Sequence, residues 1–229
     1  MPATPGYSTQ KRPEMVDFMP ERRTRVLEIG CAEGDFLMAL PGVKEAWGVE
    51  PSPSAKVATG RLHRVFESTF DEAEPHLPLN YFEVVVCNDV IEHMPDHDKF
   101  FERIAKHIAP GGVIIGSIPN VRFYNNMFQM VLEKDWHYTE SGILDRTHTR
   151  FFTEKSLKAC MQRHKFTLRK FQGLKTNIHM TNTRRAKIYH LMSKVLIAVT
   201  FGYFSDIQYL QFAFQASPNL GDAPETQAR

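Results

Sequence analysis

The stretch Arg25-Val-Leu-Glu-Ile-Gly-Cys-Ala-Glu-Gly-Asp-Phe-Leu-Met-Ala-Leu40 decides how this chain folds. Val26, Leu27 and Ile29 make an apolar run suited to a strand covered on both faces, Gly30 and Gly34 let backbone approach a ligand, and Phe36 to Leu40 opens a helical pattern. Strand, tight glycine turn and helix in that order put a nucleoside-binding loop at the carboxyl end of the first strand of an α/β sheet.

Charge selects the guest. A dinucleotide fingerprint needs glycines at 30, 32 and 35, where this chain has Gly30, Ala32 and Asp35. Glu28, Glu33 and Asp35 surround the helix start that would receive a pyrophosphate, and carboxylates repel it. An adenosine carrying a sulfonium and an amino group instead of phosphates suits this acidic turn, so S-adenosylmethionine is the expected cofactor.

Glu28-x-Gly30-x-Ala32-x-Gly34 resembles the first motif of class I S-adenosylmethionine-dependent methyltransferases, whose middle position is usually glycine. The resemblance implies an α/β, Rossmann-like fold: a seven-stranded, mostly parallel sheet with helices on both faces, here with a helical insertion before the last strand. It also implies that Glu28, Gly30, Cys31, Ala32 and Gly34 shape the cofactor turn. Glu50 closes a strand over 46–49, 20 residues after Gly30, at the spacing where an acid accepts hydrogen bonds from ribose hydroxyls, with Pro51 beside it. Asn88, Asp89 and Val90 follow an apolar strand over 81–87 and match the family's post-strand motif along the sulfonium side. A third strand over 64–66 leads to Ser68, in the loop beneath the adenine, where only Glu67 or Asp71 offers an acid for the exocyclic amine. Tyr7-x4-Arg12-Pro13-Glu14 resembles the family's N-terminal lid, with Arg12 available to the methionyl carboxylate.

With 229 residues and 42% hydrophobic content, the chain can bury one sizeable core. The division read from the sequence is an arm over 1–24, a methyltransferase domain over 25–216 with insertions at 120–150 and 173–205, and a disordered tail over 217–229. The start lacks a basic and apolar leader, which points to a cytoplasmic protein, peripheral to the inner face of the membrane if it binds one. Cys31, Cys87 and Cys160 are odd in number and lack CxxC spacing, which argues against a disulfide framework or a zinc finger. The net charge of +2 hides an asymmetry: residues 155–205 hold eleven Lys or Arg and no acid, leaving the rest about nine charges negative.

Further along, the sequence predicts a helix over 98–107 stopped by Pro110-Gly111-Gly112, a fifth strand over 113–117, a helix from 120 through 132, and a helix begun by Thr153. A sixth strand over 166–171 and a last one over 206–216 complete the sheet. In the insertion over 173–205, Ile188, Leu191, Met192, Val195, Leu196 and Val199 recur at helical spacing, with Arg184, Lys187 and Lys194 on another face. This segment suits an anionic membrane surface or a phosphate-bearing acceptor, a dimer contact, or a lid packed on the domain; nucleic acid is not expected, for want of aromatic readers.

Methyl transfer to a hydroxyl needs alignment and a proton acceptor. His148 and His93 are the candidate bases, with Asp145 placed to orient His148 if that turn is helical. Asn120, Arg122, Tyr124, Arg146 and Arg150 are the candidate acceptor contacts. If Asp89, Glu92 and His93 share one helical turn they instead form a divalent-metal set, similar to the Glu-x-x-Glu-His cluster of quinone-forming O-methyltransferases. The segment Gly142-Ile-Leu-Asp-Arg-Thr-His-Thr-Arg-Phe-Phe-Thr153, after Pro119-Asn-Val-Arg122 and Asp135-Trp136, resembles methyltransferases of bacterial O-antigen and surface-polysaccharide synthesis. The first expectation is therefore O-methylation of a free, nucleotide-linked or lipid-linked sugar. The alternatives are a metal-assisted methyltransferase of a phenol or quinone precursor, and a non-catalytic subunit that binds a partner or membrane through its basic insertion.

Overall fold

A computed structural model describes residues 12–174 and 183–219; Tyr7 and the tail beyond 219 lie outside them. The elements in order are α1 (Pro13–Val16), β1 (Arg25–Ile29), α2 (Asp35–Ala39), β2 (Glu45–Val49), α3 (Ala55–Thr59), β3 (Arg64–Phe66), α4 (Phe70–Ala73) and β4 (Phe82–Asn88). There follow α5 (His97–Ile104), β5 (Ile108–Pro119), α6 (Tyr124–Phe128), α7 (Glu154–Arg163), β6 (Phe166–Leu174), α8 (Arg184–Val199) and β7 (Gln211–Pro218). The strands form one seven-stranded sheet in the order β3-β2-β1-β4-β5-β7-β6, parallel through β5, with β7 antiparallel to both of its neighbours.

The apolar runs explain the layers. On β4, Val84 and Val86 face one side and Val85 and Cys87 the other, all four fully buried. A strand with both faces covered has no polar alternation to display. Val84 and Val86 pack with Met15, Phe18, Phe36, Leu37 and Ala58 from α1 to α3 and the turn after α1. Val85 and Cys87 pack with Phe70, Phe100, Phe101, Ile104, Leu157 and Met161 from α4, α5 and α7. A third, smaller core joins Phe123, Tyr124 and Phe128 to Ile143, Tyr189 and Ile207, so α6 and α8 pack on each other beside the sheet.

Departures from the sequence reading have local causes. Pro110-Gly111-Gly112 does not end a helix; it lies inside β5, where pairing steps from Phe82 with Ile108 to Val84 with Val113. The extra residues loop out of the ladder, helped by Gly111 at φ 77°. The helix expected from 120 starts only at Tyr124, and its last turn, Gln129–Glu133, widens to π geometry. The last strand starts at Gln211 because Ser205–Gln208 is a 3₁₀ turn, pinned by Asn120 Nδ2 donating to the carbonyls of Asp206 (2.9 Å) and Tyr209 (3.0 Å).

Opposite the glycine turns, Glu83 of β4 gathers the lead into β1. Its Oε2 accepts from Thr24 N and Oγ1, both at 2.6 Å, and its Oε1 accepts from Arg22 Nε at 2.9 Å. Burial opposes the charge, but these donors outweigh it and hold the carboxyl at about 2, below the usual 4.5. The stability it adds is therefore complete above pH 4.5 and is lost as pH falls through 2. Glu83→Gln is expected to cost about 2 kcal/mol at pH 7 by leaving buried donors poorly matched. Thermal unfolding across pH checks this: the gap between variant and parent should close toward pH 2, and a constant gap would refute it.

Candidate active site

The carboxyl ends of β1, β2 and β4 open into a cleft of about 630 Å³, within the range of nucleoside-sized sites. Its wall is the turn after β1. Gly30 (φ 72°) and Ala32 (φ 47°) are both left-handed there. A Cβ on Gly30 would sit 2.6 Å from Val90 Cγ2, so only glycine fits. Ala32 pays the left-handed strain of an L-residue, and its N–H donates to Glu50 Oε2 at 2.9 Å. Glu50 Oε1 accepts from Ser52 N at 2.8 Å, which fixes this buried carboxylate at the rim of the turn with lone pairs to spare.

The floor is built from Glu28, Asn88, Asp89 and Arg12. Burial pushes the Glu28 carboxyl well above its usual range, with the Arg12 guanidinium pulling the other way, and its Oε2 has no protein partner. Asn88 Oδ1 and Nδ2 are likewise buried and unpartnered. Asp89 stands at φ 54°. It accepts from Gln211 Nε2 (2.7 Å), from Ser117 Oγ (3.1 Å) and from Arg12 Nη1. Arg12 Nη2 also donates to Ser117 Oγ at 2.8 Å, so the carboxylate partner of Arg12 here is Asp89, with Glu14 at 2.6 Å.

Two expected contacts fall elsewhere. Gly34 does not line the cleft: its left-handed backbone starts α2 and a Cβ there would crowd Leu62 at 3.1 Å. Ser68 is replaced by its neighbours Thr69, Phe70 and Asp71, since Thr69 caps α4 and turns the next residues inward. Cys31, Pro51 and Val90 line the cleft; Ser52, Ser54, Met94 and Pro95 join them without a local sequence signal.

At the cleft mouth the chain after β4 makes a 3₁₀ turn, Ile91–His93. Its Glu92 carbonyl receives the N–H groups of Thr149 (2.8 Å) and Arg150 (3.1 Å), which hangs the 145–150 loop on this turn. His93 and His148 then meet edge to face, centroids 4.6 Å apart. His148 Nδ1 contacts the Ile143 carbonyl at 2.9 Å, which makes Nδ1 the donor and leaves Nε2 as a buried, unpartnered lone pair. Burial also lowers the His148 pKa, favouring neutral imidazole. Glu92 is 1% exposed with neither carboxylate oxygen partnered, and burial followed by the charge of Asp89 raises its pKa well above the usual range. Donor atoms of Glu92, His93 and His148 all lie within 4.8 Å of one another.

This arrangement corrects several expectations. Asp145 does not orient His148: its Oδ1 accepts from Thr147 N (2.8 Å) and Thr147 Oγ1 (2.7 Å) in an Asx turn. Asp89 does not join Glu92 and His93, because the turn is 3₁₀ and Asp89 faces Arg12, so His148 takes its place. Asn120 is fully buried as the staple to the 205–208 turn. Arg122 is clamped to Asp206 at 2.6 and 3.3 Å, and Tyr124 packs on Phe123. Arg146 reaches outward to Glu140 at 2.7 Å, and Arg150 is exposed outside the cleft. A second cluster, His97, Asp98 and Cys160, is already answered by the protein, with His164 at 2.6 Å and Arg163 at 3.5 Å from Asp98.

S-adenosylmethionine fits these residues. The orphaned Glu28 and Asn88 atoms can take up the polar methionyl end, Glu50 has free lone pairs for a diol, and Phe70, Pro51 and Met94 give an apolar slot for a base. Gly30→Ala is expected to abolish S-adenosylmethionine binding in calorimetry, and Glu50→Ala to weaken it at least tenfold; binding unchanged in both would refute the placement. Ala32→Gly is expected to raise stability by about 1 kcal/mol through release of left-handed strain, read as a higher unfolding midpoint.

Comparison with known proteins agrees with the geometry. A family described as "Methyltransferase domain" matches residues 8–170. A solved S-adenosylmethionine-dependent methyltransferase from Archaeoglobus fulgidus superposes with TM-score 0.59, 20% identity, covering 89% of each chain. Ubiquinone biosynthesis O-methyltransferases are similar in sequence. That of Neisseria meningitidis is 31% identical over 110 residues, 42% of this chain and 44% of that one. That of Vibrio cholerae is 30% identical over 145 residues, 58% and 57%. The chain thus spans about half the length of the curated relatives it matches. These relatives do not support the surface-polysaccharide resemblance. With a matching fold, a cofactor cleft that fits and a family match over most of its length, the chain belongs to the class I S-adenosylmethionine-dependent methyltransferases.

Proposed function

We propose that this protein methylates a phenolic hydroxyl on an aromatic acceptor of the quinone-precursor kind, with Glu92, His93 and His148 as a divalent-cation site. The observation that carries this reading is the buried Glu92 carboxylate, unpartnered at both oxygens, beside the unpartnered His148 Nε2 and the cleft-lining His93. A buried carboxylate without a counter-charge is costly, and a cation is what such a site lacks. The names of the relatives support the same acceptor class, and no residue of the cleft mouth favours a sugar.

Bound in the cleft, S-adenosylmethionine supplies an electrophilic methyl group on a sulfonium. A divalent cation held at the mouth would lower the pKa of a coordinated phenol. The chain's own part is alignment and proton handling. The Ile143 carbonyl fixes the His148 tautomer and so leaves Nε2 available as ligand or base. Asp89, held by Arg12, Ser117 and Gln211, keeps the post-β4 turn rigid beneath it. Met94 and Pro95 border the mouth with apolar side chains.

Turnover with a panel of catechols and nucleotide sugars tests the acceptor, and exhaustive chelation tests the cation. Catechols should be methylated and sugars not. Chelation should cut turnover at least tenfold with recovery on adding a divalent ion, and Glu92→Gln should remove that recovery while leaving S-adenosylmethionine binding intact. Full turnover after chelation would defeat the cation site and leave His148 as a base. Methylation of sugars alone would defeat the acceptor assignment.

A further inference from the structure

Helix α8 has two apolar faces, and the fold uses only one of them. Tyr189 and Ser193 are buried, and Met192, Leu196 and Ile197 pack toward the third core. On the other side Ile188, Leu191, Val195 and Val199 form a stripe along roughly 16 Å of helix, and they are 46%, 63%, 53% and 65% exposed. The helix ends in a Schellman arrangement: Phe201 N donates to Ala198 O at 3.1 Å and Gly202 N to Ile197 O at 2.8 Å. That motif places Phe201 at φ 49°, where glycine is usual, and leaves its ring 99% exposed; Tyr203 follows at 81%. Nothing within the described residues repays a strained, fully exposed phenylalanine. An apolar stripe of this extent on the surface marks a docking face.

Charge identifies the occupant. Residues 183–205 contain Arg184, Arg185, Lys187 and Lys194 and no Asp or Glu. Arg185 is bound to Glu133 at 3.0 Å. Lys187 and Lys194 lie roughly 100° round the helix from the stripe, and Arg184 stands one turn before Ile188 on the stripe itself. Apolar side chains flanked by lysines whose stems can snorkel are the pattern of a helix lying in a membrane interface. A second copy of the chain fits less well, because an isologous contact would bring the same lysines together with no carboxylate in 183–205 to answer them. The helix does not span a bilayer: none of the described helices is long and apolar enough to cross one.

We propose that α8 and the turn after it dock this protein on the surface of an anionic phospholipid bilayer. The contact is peripheral, with Leu191, Val195, Val199, Phe201 and Tyr203 at the acyl boundary and Lys187 and Lys194 among the headgroups. It stands apart from the acceptor assignment. Even so, Ile143, whose carbonyl holds His148, belongs to the same small core as Tyr189 of α8, so the docked face and the cleft mouth share a support.

Co-sedimentation of the full chain with phosphatidylcholine vesicles, with and without phosphatidylglycerol, tests this. Binding to the anionic vesicles should exceed binding to the neutral ones severalfold and fall as salt is raised. Leu191→Ser/Phe201→Ser and, independently, Lys187→Glu/Lys194→Glu should each reduce it at least fivefold with the unfolding midpoint and S-adenosylmethionine binding unchanged. Failure of the parent to bind anionic vesicles, or equal binding by both double variants, would overturn the proposal. So would light scattering that shows a dimeric parent and a monomeric Leu191→Ser/Phe201→Ser variant, which would give the face to a second copy.

Discussion

The carboxylate of Asp89 is the point at which four separate parts of the chain meet. It belongs to the end of the central strand run, and its three donors come from the N-terminal arm through Arg12, from β5 through Ser117 and from β7 through Gln211. An ion pair removed from water is costly unless its remaining positions are filled, and here they are filled by a hydroxyl and an amide. The arrangement also sustains a left-handed backbone at Asp89 that an isolated chain would abandon. Because β7 runs antiparallel between β5 and β6, Gln211 lies opposite Pro119, at the same sheet end as the cleft. The late insertion of that strand thus serves the geometry of the early motif.

A comparable economy holds on the other wall. Glu50 uses two acceptor positions on backbone N–H groups of the β1 turn and its own loop, which fixes its carboxyl at low exposure. The turn and the acid at the end of β2 are therefore one unit. Substituting either side disturbs the other, although they are 18 residues apart.

Much of this was legible in the sequence where a local rule governs. The unbroken apolar run of β4, the glycine turn after β1 and the acid after β2 are each fixed by neighbours in the chain and by the two-sided burial of a parallel sheet. Helical periodicity found α8, and the acid-free span around it exposed its charge. What failed depended on contacts between distant segments. Asp145 is three residues from His148 and its carbonyl does accept from His148 N at 3.0 Å, yet its carboxylate is taken by Thr147 and does not reach the imidazole. His148 is set by Ile143 and brought to Glu92 by backbone bonds across more than fifty residues, a pairing with no periodic trace. Asn120, Arg122 and Tyr124 looked like acceptor contacts because polar and aromatic groups after a strand end often are. They prove to be the staple, the clamp and the core of the α6–α8 unit. Ser117 and Gln211 carried no signal at all, since a serine or glutamine in a strand is ordinary until its partner is known.

Cys31 gives the cleft a property that its shape alone does not. It is 4% exposed, and burial, reinforced by the neighbouring carboxyls of Glu28 and Glu50, pushes its thiol far above the normal range. A thiolate is the strongest nucleophile that a protein could set beside an activated methyl group, and a protonated thiol is a poor one. Burial among these carboxyls therefore keeps a sulfur that lines the cofactor cleft in its protonated, weakly nucleophilic form, a state compatible with an alkylating donor in the same cleft.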